Sequence, residues 1–514
     1  VTEAIQGDGR LAGGIALPAR KHLSTAAPIA TAPLPSRLVH PLTDMPGRDS
    51  RVLVQVGERV LRGTPLSACD ETHATVVHAA SSGTVRAIEP HPVADLRRSE
   101  ALCVIIDVDG HDESLPSTPP DPAAWTQDHS IAAALAQAGL AGLGGAVYPT
   151  GRKLAEGRRL GLKSLIINGA ECEPYISCDD MLMRERADEI IAGTLAMLEL
   201  TGCPSAIIAL EDDKSEALAA LEAAVAARQR RDRLAIVTVP TVFPSGGERQ
   251  LIQLITGEEV PSGGYPPDLG YLCQNVGTAA ALARWLATGR PVTSRIVTVT
   301  GGGVANPQNL EVRLGTPIAD LIAACGGYRD GVVRLIMGGG MTGIALASDE
   351  APVTRASNCI IAATAEELRD EQAPLPCIRC GDCADACPAR LMPQLLHWHA
   401  LREDDAELAG LNLFDCIECG CCDLVCPSRI PLTEQFRGAK RRLWQSRSDE
   451  QRARVAERRH EARQQRLATQ QAAHHAQLEE VRDSARDPHA ASDAIAQIMA
   501  RAKRDRDSRR EDDN

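Results

Sequence analysis

Apolar and polar positions alternate from about Val52 to Val85, with Gly57, Gly63 and Gly83 as turn signals, and this period of two predicts short strands. A Pro-rich linker follows around Leu115 to Ala123, and beyond it the period changes. Ser164-Leu165-Ile166-Ile167 predicts a buried strand, Met181 to Leu198 a helix, Ala206 to Leu210 a strand, Ser215 to Ala227 a helix and Leu234 to Val239 a strand. Alternating strands and helices of this kind indicate an α/β domain of the nucleotide-binding type. Arg295 to Thr300 opens a further strand-rich stretch that continues through Gly301 to Gly303 and Gly338 to Gly340, and short helical segments are expected from about Pro374 to Lys440. From about Ser448 onward Ala, Gln, Arg and Glu dominate and aromatic residues vanish. That composition predicts a solvated, partly disordered helical tail, with a partner-binding arm as the alternative. Pro488 would break it, and Ser492-Asp493 would cap a last helix ending near Lys503.

The predicted architecture is multidomain α/β and β. Residues 1–114 form an N-terminal region with a lipoyl-like β-sandwich, 124–290 a Rossmann-like α/β domain and 291–365 a β-grasp-like (SLBB) module; 370–445 form a helical ferredoxin-like domain and 446–514 a charged helical or disordered tail. The sandwich rests on Gln55 to Val60, Glu71 to Val76 and Ser82 to Val85. A swinging arm needs a lysine at the hairpin tip, where this chain has His73, so the module is expected to be structural, without lipoyl or biotin.

With 514 residues there is ample chain for several cores. Lys+Arg 55 against Asp+Glu 68 is an acidic balance, which argues against nucleic acid as the main partner. No apolar run reaches the ~18 residues needed to cross a bilayer, and no charged-then-apolar signal opens the sequence. A soluble or peripherally attached chain is expected. Of the 17 cysteines, eight fall in a cluster-ligand pattern, and thiolates of this kind call for a reducing compartment, which points to the cytoplasm.

Eight of those cysteines repeat one spacing: Cys377-x2-Cys380-x2-Cys383-x3-Cys387-Pro388, then Cys416-x2-Cys419-x2-Cys422-x3-Cys426-Pro427. This is the spacing of a two-cluster ferredoxin, in which three close cysteines hold one [4Fe-4S] cluster and the fourth crosses to the other. Cys377, Cys380, Cys383 and Cys426 are thus assigned to one cluster, and Cys416, Cys419, Cys422 and Cys387 to its partner. Zinc sites group their C-x2-C pairs at longer separations, and a disulfide framework suits a small secreted domain. Cys421 breaks the register and is expected to be a spare thiol. His397 and His399 flank Trp398 on a predicted helix and are expected to be ordinary core or surface histidines.

A second informative stretch runs Gly142-Leu143-Gly144-Gly145-Ala146-Val147-Tyr148-Pro149-Thr150-Gly151-Arg152-Lys153. Its glycines let backbone amides approach a phosphate, and Lys153 adds a positive charge at the following helix start. It matches neither the Walker pattern nor the dinucleotide fingerprint, so taken alone a plain surface loop stays open. Three further segments weigh against that. Asn168-Gly169-Ala170-Glu171-Cys172-Glu173-Pro174 and Phe243-Pro244-Ser245-Gly246-Gly247-Glu248-Arg249 follow predicted strands, and Gln274-Asn275-Val276-Gly277-Thr278 opens a helix. Ligands of open α/β sheets bind at the carboxyl ends of the strands.

On these residues the chain resembles the RnfC family of the Rnf ion-translocating electron-transport complex, and its central domain is similar to the flavin and NADH subunit of respiratory complex I. The resemblance runs from Gly13-Gly14-Ile15-x-Leu17-Pro18-x-x-Lys21 to Arg437-Gly438-Ala439-Lys440, and is particularly close at Asp415 to Gly420 and Cys426 to Leu432. It implies that Gly142, Gly144 and Lys153 hold phosphates of FMN or NADH, and that Gly145, Ala146 and Tyr148 line the nicotinamide side. Asn168, Ala170 and Glu171 would contact the flavin and Glu173 the NADH ribose. Gly246 and Glu248 would lie over the ring, and Asn275 and Thr278 would bind the ribityl phosphate. The chain departs from the complex I pattern at Phe243 for a tyrosine, Gly247 for a glutamate, Ala170 for an aspartate and Gln274 for an asparagine.

The resemblance further implies an oxidoreductase subunit in which electrons pass between NADH, FMN, two [4Fe-4S] clusters and a partner, in either direction, coupled elsewhere in the complex to Na+ or H+ movement. Hydride is a two-electron packet and a cluster takes one electron, so a flavin is the expected middle term. No catalytic acid or base is assigned. Implied partners are the other Rnf subunits, including a ferredoxin-like iron–sulfur subunit and membrane subunits, with ferredoxin reached indirectly. The implied location is peripheral, on the cytoplasmic side of the inner membrane. A free-standing NADH:acceptor reductase, or an iron–sulfur relay without a working nucleotide pocket, are the alternatives.

Overall fold

The structure, a computed structural model, describes residues 7, 9–42, 50–68, 74–95, 99–122, 125, 128–368, 372–484 and 490–511. Two units emerge, Val1–Arg437 and Gly438–Asn514, and each is taken by itself.

In the first unit, strand β1 (Ala30–Thr31) precedes β2 (Arg37–Pro41), β3 (Arg59–Val60), β4 (Gly83–Pro92) and β5 (Glu100–Val108). The last four form an antiparallel sheet in the order β2-β5-β4-β3. Of the expected strand at Glu71 to Val76, residues 71–73, His73 among them, lie outside the described residues, and 74–76 join no ladder. The pairing falls instead on β4, which continues to Pro92 and uses β5 as its partner over its whole length.

The central domain begins with helices α1 (Asp128–Gln137) and α2 (Thr150–Leu160), followed by β6 (Ser164–Gly169), α3 (Cys178–Glu185), α4 (Ala187–Thr201), β7 (Ala206–Glu211), α5 (Ser215–Ala227), β8 (Leu234–Val239), α6 (Glu248–Thr256), β9 (Tyr271–Asn275) and α7 (Val276–Thr288). The sheet is parallel throughout, in the order β8-β7-β6-β9. The inner strands β6 and β7 are buried on both faces, which is why they read as continuous apolar runs and not as alternations. The single helix expected from Met181 to Leu198 is two helices. They part at Arg186, whose backbone leaves the helical region (φ −134, ψ 35) and whose guanidinium reaches Glu311 at 2.8 Å.

Beyond it lie β10 (Ser294–Thr300), β11 (Gln308–Arg313), α8 (Ile318–Ala324), β12 (Val332–Met337), β13 (Ile344–Ala345) and β14 (Cys359–Thr364). These strands and β1 make a six-stranded sheet, β1-β11-β10-β14-β12-β13, so the N-terminal region lends it an edge strand. Val297, Val299 and Ile360 share one core with Leu38, Val104 and Ile106 of the sandwich. The cysteine runs wind around the short helices α9 (Asp382–Asp385) and α12 (Cys421–Val425), with α10 (Pro393–Leu401) and α11 (Asp405–Gly410) between them in the chain.

The second unit is helical: most of α13 (Leu432–Ser484), a 53-residue helix whose first residues belong to the first unit, and α14 (Ala490–Glu511). The Ala, Glu, Gln and Arg that suggested a partly disordered tail are also strong helix formers, and up to Ser484 they sustain one uninterrupted helix. Ser492-Asp493 lies inside α14, which continues past Lys503, so it caps nothing there; Pro488 lies outside the described residues.

Candidate functional site

Chain order reverses beside β6: β7 and β8 extend the sheet on one side, and β9 returns to the other. The cleft outside the carboxyl ends of β6 and β9 is the switch point at which open α/β sheets take ligands. Asn168 and Asn275, neighbours in register, mark its floor. Asn275 caps α7 by accepting from Gly277 N at 2.8 Å and donates Nδ2 to Asp179 Oδ2 at 2.6 Å. Asn168 donates to Gly246 O at 2.9 Å and accepts from Ala170 N at 2.9 Å, fastening the loop after β8 to the loop after β6. A Cβ on Gly246 would stand 2.3 Å from Ala170 O, so only glycine permits this approach.

The glycine-rich loop forms the third wall. Gly142 N donates to Tyr148 O at 2.8 Å and closes the loop; Leu143 N donates to Thr278 Oγ1 at 3.0 Å and ties it to α7. Gly144 lies against Asn275, where a Cβ would come within 3.2 Å of the asparagine's own. Gly145 (φ 104) faces open space, and Gly144, Gly145 and Ala146 form an exposed tip. Tyr148 is also exposed, with the Arg152 guanidinium 5.9 Å from its ring centre. Thr150, the first residue of α2, buries its hydroxyl without a hydrogen-bond partner, and Gln274 Nε2 is similarly buried and unpartnered. A side-chain-free loop tip, an orphan hydroxyl in the first turn of a helix and a lysine one turn on fit a phosphate-bearing group such as FMN.

The charged residues among the predicted contacts are also engaged within the protein. Lys153 Nζ is 2.6 Å from Glu248 Oε1. The Glu171 carboxylate accepts from Asp179 N at 2.8 Å and Asp180 N at 3.4 Å, capping α3. Glu173 accepts from Met341 N and Thr342 N, both at 3.0 Å, and from the Thr342 hydroxyl, which binds it to the turn before β13; burial raises its pKa. The structure also brings in residues that the sequence reading passed over. Asp179, pushed up to about 7 by burial and then by Glu171, stands beside Asn275, and Arg295, fully buried, donates to Leu143 O at 3.2 Å from beneath the loop. Asp179-Asp180 at the start of α3 was the available signal for the first; Arg295, the second residue of β10, offered none.

None of the eight cysteines of the two runs, all among the described residues, is in a disulfide. The runs adopt the same backbone, with Arg379 and Glu418, Gly381 and Gly420, and Arg390 and Arg429 all left-handed at matching places. Cys387, Cys416, Cys419 and Cys422 line one small cavity together with Leu391 and Phe436. Backbone amides of Leu391 and Glu418 donate to Cys387 Sγ and Cys416 Sγ, both at 3.4 Å, as suits thiolates that hold iron. In the first run Cys377 and Cys380 lie close enough to Cys383 to add to the burial that raises its pKa, and Cys380 is exposed. Cys421, outside the ligand register, is fully buried with Phe243 and Ala386 where the second run meets the loop after β8. His397 Nδ1 is 2.6 Å from Gln435 Oε1, a satisfied core contact.

Four family models match the chain: RnfC Barrel sandwich hybrid domain over residues 9–111, Nuo51 FMN-binding domain over 135–284, SLBB domain over 296–345 and 4Fe-4S dicluster domain over 376–430. Relatives named as the C subunit of an ion-translocating oxidoreductase complex are similar over most of the chain. That of Pseudomonas aeruginosa is 44% identical over 466 residues, 88% of this chain and 58% of its own length. Those of Haemophilus influenzae and Citrobacter koseri are each 41% identical, covering 88% and 96% of this chain and 68% and 69% of their own. The chain thus spans about three-fifths to two-thirds of the length of such relatives. Among solved structures, an NAD+-reducing [NiFe]-hydrogenase in the air-oxidized state matches at a TM-score of 0.43 and 22% identity, over 57% of each chain.

Proposed function

The chain belongs to the family formed by the C subunits of ion-translocating oxidoreductase complexes, and from that membership we propose that it is the subunit through which such a complex exchanges electrons with NADH or NAD+. The observation that carries the reading is the contact between Phe243 and Cys421, which joins the loop over the β6–β9 cleft to the second cysteine run. A nucleotide-type cleft and an iron–sulfur module side by side suit electron exchange between a two-electron donor and one-electron carriers.

FMN, when bound, supplies the conversion between hydride and single electrons, and the clusters supply one-electron carriage. The chain's own residues do the holding. Gly142, Gly144 and Gly145 admit the phosphate, Lys153 and the Thr150 hydroxyl bind it, and Asn168, Ala170 and Asn275 fix the ring and its tail by hydrogen bonds. Thr278 keeps the loop in place through Leu143. Gly145, Ala146 and Tyr148, at the open tip, are the surface left for nicotinamide. Cys387, Cys416, Cys419 and Cys422 hold the cluster next to the cleft, and Cys377, Cys380, Cys383 and Cys426 the outer one, whose exposed Cys380 faces a partner. Glu171, Glu173 and Glu248 act as supports of the loops they bind, and Glu248 releases Lys153 when a phosphate arrives.

We place the protein on the cytoplasmic side of the inner membrane, beside membrane subunits and a ferredoxin-like iron–sulfur subunit. Among the described residues no helix is long and apolar enough to cross a membrane, which is compatible with peripheral attachment. The test is anaerobic reconstitution of the chain with iron, sulfide and FMN, followed by NADH. Bleaching near 450 nm, roughly the oxidised flavin band, and then of the cluster absorbance is expected. A chain that takes up both clusters but no flavin would leave only the relay role.

A further inference from the structure

The glycine-rich motif near the start of the chain, Gly13 to Lys21, contributes no wall to the cleft, yet it touches both redox modules in turn. Gly14 N donates to Ala386 O at 3.0 Å, beside the cluster cysteine Cys387. Gly13 approaches so closely that a Cβ would lie 2.7 Å from the Cys387 carbonyl, and its φ of 62 is left-handed as well. Ile15 then pairs with Phe243 in both directions, N to O at 2.8 and 3.0 Å, across the loop that follows β8. Ala19 O accepts from Tyr175 N at 2.8 Å, on the loop that follows β6. The run ends at Lys21, whose side chain is buried. Its ammonium donates to Glu171 O and, at 2.8 Å, to Ile176 O, and stands 3.6 Å from Glu171 Oε2. The loop Glu171 to Ile176 is thereby wrapped around one cation. Ser24 Oγ, 2.7 Å from Ser177 Oγ, closes the far end.

We propose that Gly13 to Lys21 is a strap that fixes the cluster module against the flavin-site loop, with Lys21 as the positioning residue of that loop. The proposal rests on the reading above that this loop borders FMN. Simple anchoring of a segment needs only an apolar side chain, whereas burying an ammonium carries a large desolvation cost before its partners offset it. What the ammonium adds is convergence of two carbonyls of one loop and a fixed positive charge behind it. A positive charge near a flavin favours its reduced, more negative form. The strap also sets the separation of two redox centres, on which the rate of electron exchange depends steeply.

The experiment uses the full chain carrying clusters, with and without FMN, and the variants Lys21→Met and Gly13→Ala. With Lys21→Met the iron content should stay at the wild-type level and FMN should still bind at saturation. The flavin midpoint potential should fall, and amides of Glu171 to Ile176 should exchange with deuterium faster even in the FMN-free chain. Should Lys21→Met not fold, Lys21→Gln removes the same charge while keeping a donor, and Lys21→Arg, which keeps the charge, should hold the potential near wild type. With Gly13→Ala, FMN affinity and potential should be unchanged, while cluster reduction after flavin reduction slows measurably. Wild-type potential in Lys21→Met, or a wild-type rate in Gly13→Ala with iron intact, overturns the strap. If the wild-type chain itself takes no FMN, the functional reading fails, and unchanged deuterium exchange in the FMN-free Lys21→Met chain would then refute the strap by itself.

Discussion

Lys153 Nζ and Glu248 Oε1 lie 2.6 Å apart, so the cation expected to meet a phosphate and the carboxylate expected over the ring hold each other across the cleft. Both side chains retain solvent contact, which makes the pair cheap to open. A phosphate arriving at the first turn of α2 replaces one anion with a stronger one. Lys153→Ala should therefore weaken FMN or NADH binding by about tenfold, or about 1.4 kcal/mol, while leaving both clusters in place. Glu248→Gln should leave affinity unchanged or tighten it, since it frees the ammonium. Fluorescence titration of the two variants distinguishes this from direct ring contact by Glu248, which would make Glu248→Gln the weaker binder.

Much of this cleft was legible because β6 and β7 bury both faces and so read as unbroken apolar runs, and because glycines at Gly144 and Gly246 mark close backbone approach. Strand β9 was not, since five residues with Gln274 and Asn275 among them carry neither alternation nor a long apolar run. Missing it hides the switch point, which exists only when β9 stands beside β6. Side-chain engagement was equally hidden. Nothing in the spacing of Glu171, Glu173 and Lys21 tells which carboxylate caps α3, which binds Met341 and Thr342, and which meets an ammonium 150 residues away. Those choices are made by packing between segments remote in sequence.

Cys387 lines one cavity with Cys416, Cys419 and Cys422 of the other run. Cys387→Ala should then remove or convert the cluster beside the cleft and leave the outer one. Iron analysis should fall by about half at most. Electron paramagnetic resonance of the reduced variant should retain the signal that is lost in Cys380→Ala. If the two variants lose the same signal, the ligands are not crossed.

Asp179 offers a pH-dependent test of the fold around the site. Its carboxyl, at about 3.8 in an unfolded chain, is raised to about 7 by burial and by Glu171. The folded protein thus keeps the proton to higher pH than the unfolded chain does. The stability that this contributes is full below about pH 4, the unfolded value, and is lost as pH rises through about 7. Asp179→Asn removes the titration yet preserves an acceptor for Asn275. Because the side chain keeps partial solvent contact, the variant should gain only about 1–3 kcal/mol over wild type at pH 8 and little at pH 4. Urea melts at the two pH values measure the difference. An equal effect at both would mean that Asp179 is not the titrating group.

Gly193 on α4 tests whether the cleft depends on helix packing behind it. A Cβ there would stand 1.8 Å from Ala279 O of α7, the helix whose first turn carries Asn275 as cap and Thr278 as the anchor of the glycine loop. Alanine gains about 1 kcal/mol of helix propensity over glycine, but overpacking of a fixed interface costs about 1–3 kcal/mol or more. The clash is with backbone, so α7 must move as a body. Gly193→Ala should therefore lower stability and also weaken FMN binding, although it lies on neither loop of the cleft. Gly202, at the far end of the same helix, supplies the control: its φ of 68 makes Gly202→Ala cost about 1–2 kcal/mol of strain, but a Cβ there meets nothing within 4 Å. Equal stability loss in the two variants with FMN affinity reduced in Gly193→Ala alone is the expected pattern. Affinity reduced to the same degree in both would show that general destabilisation, not the position of α7, governs the site.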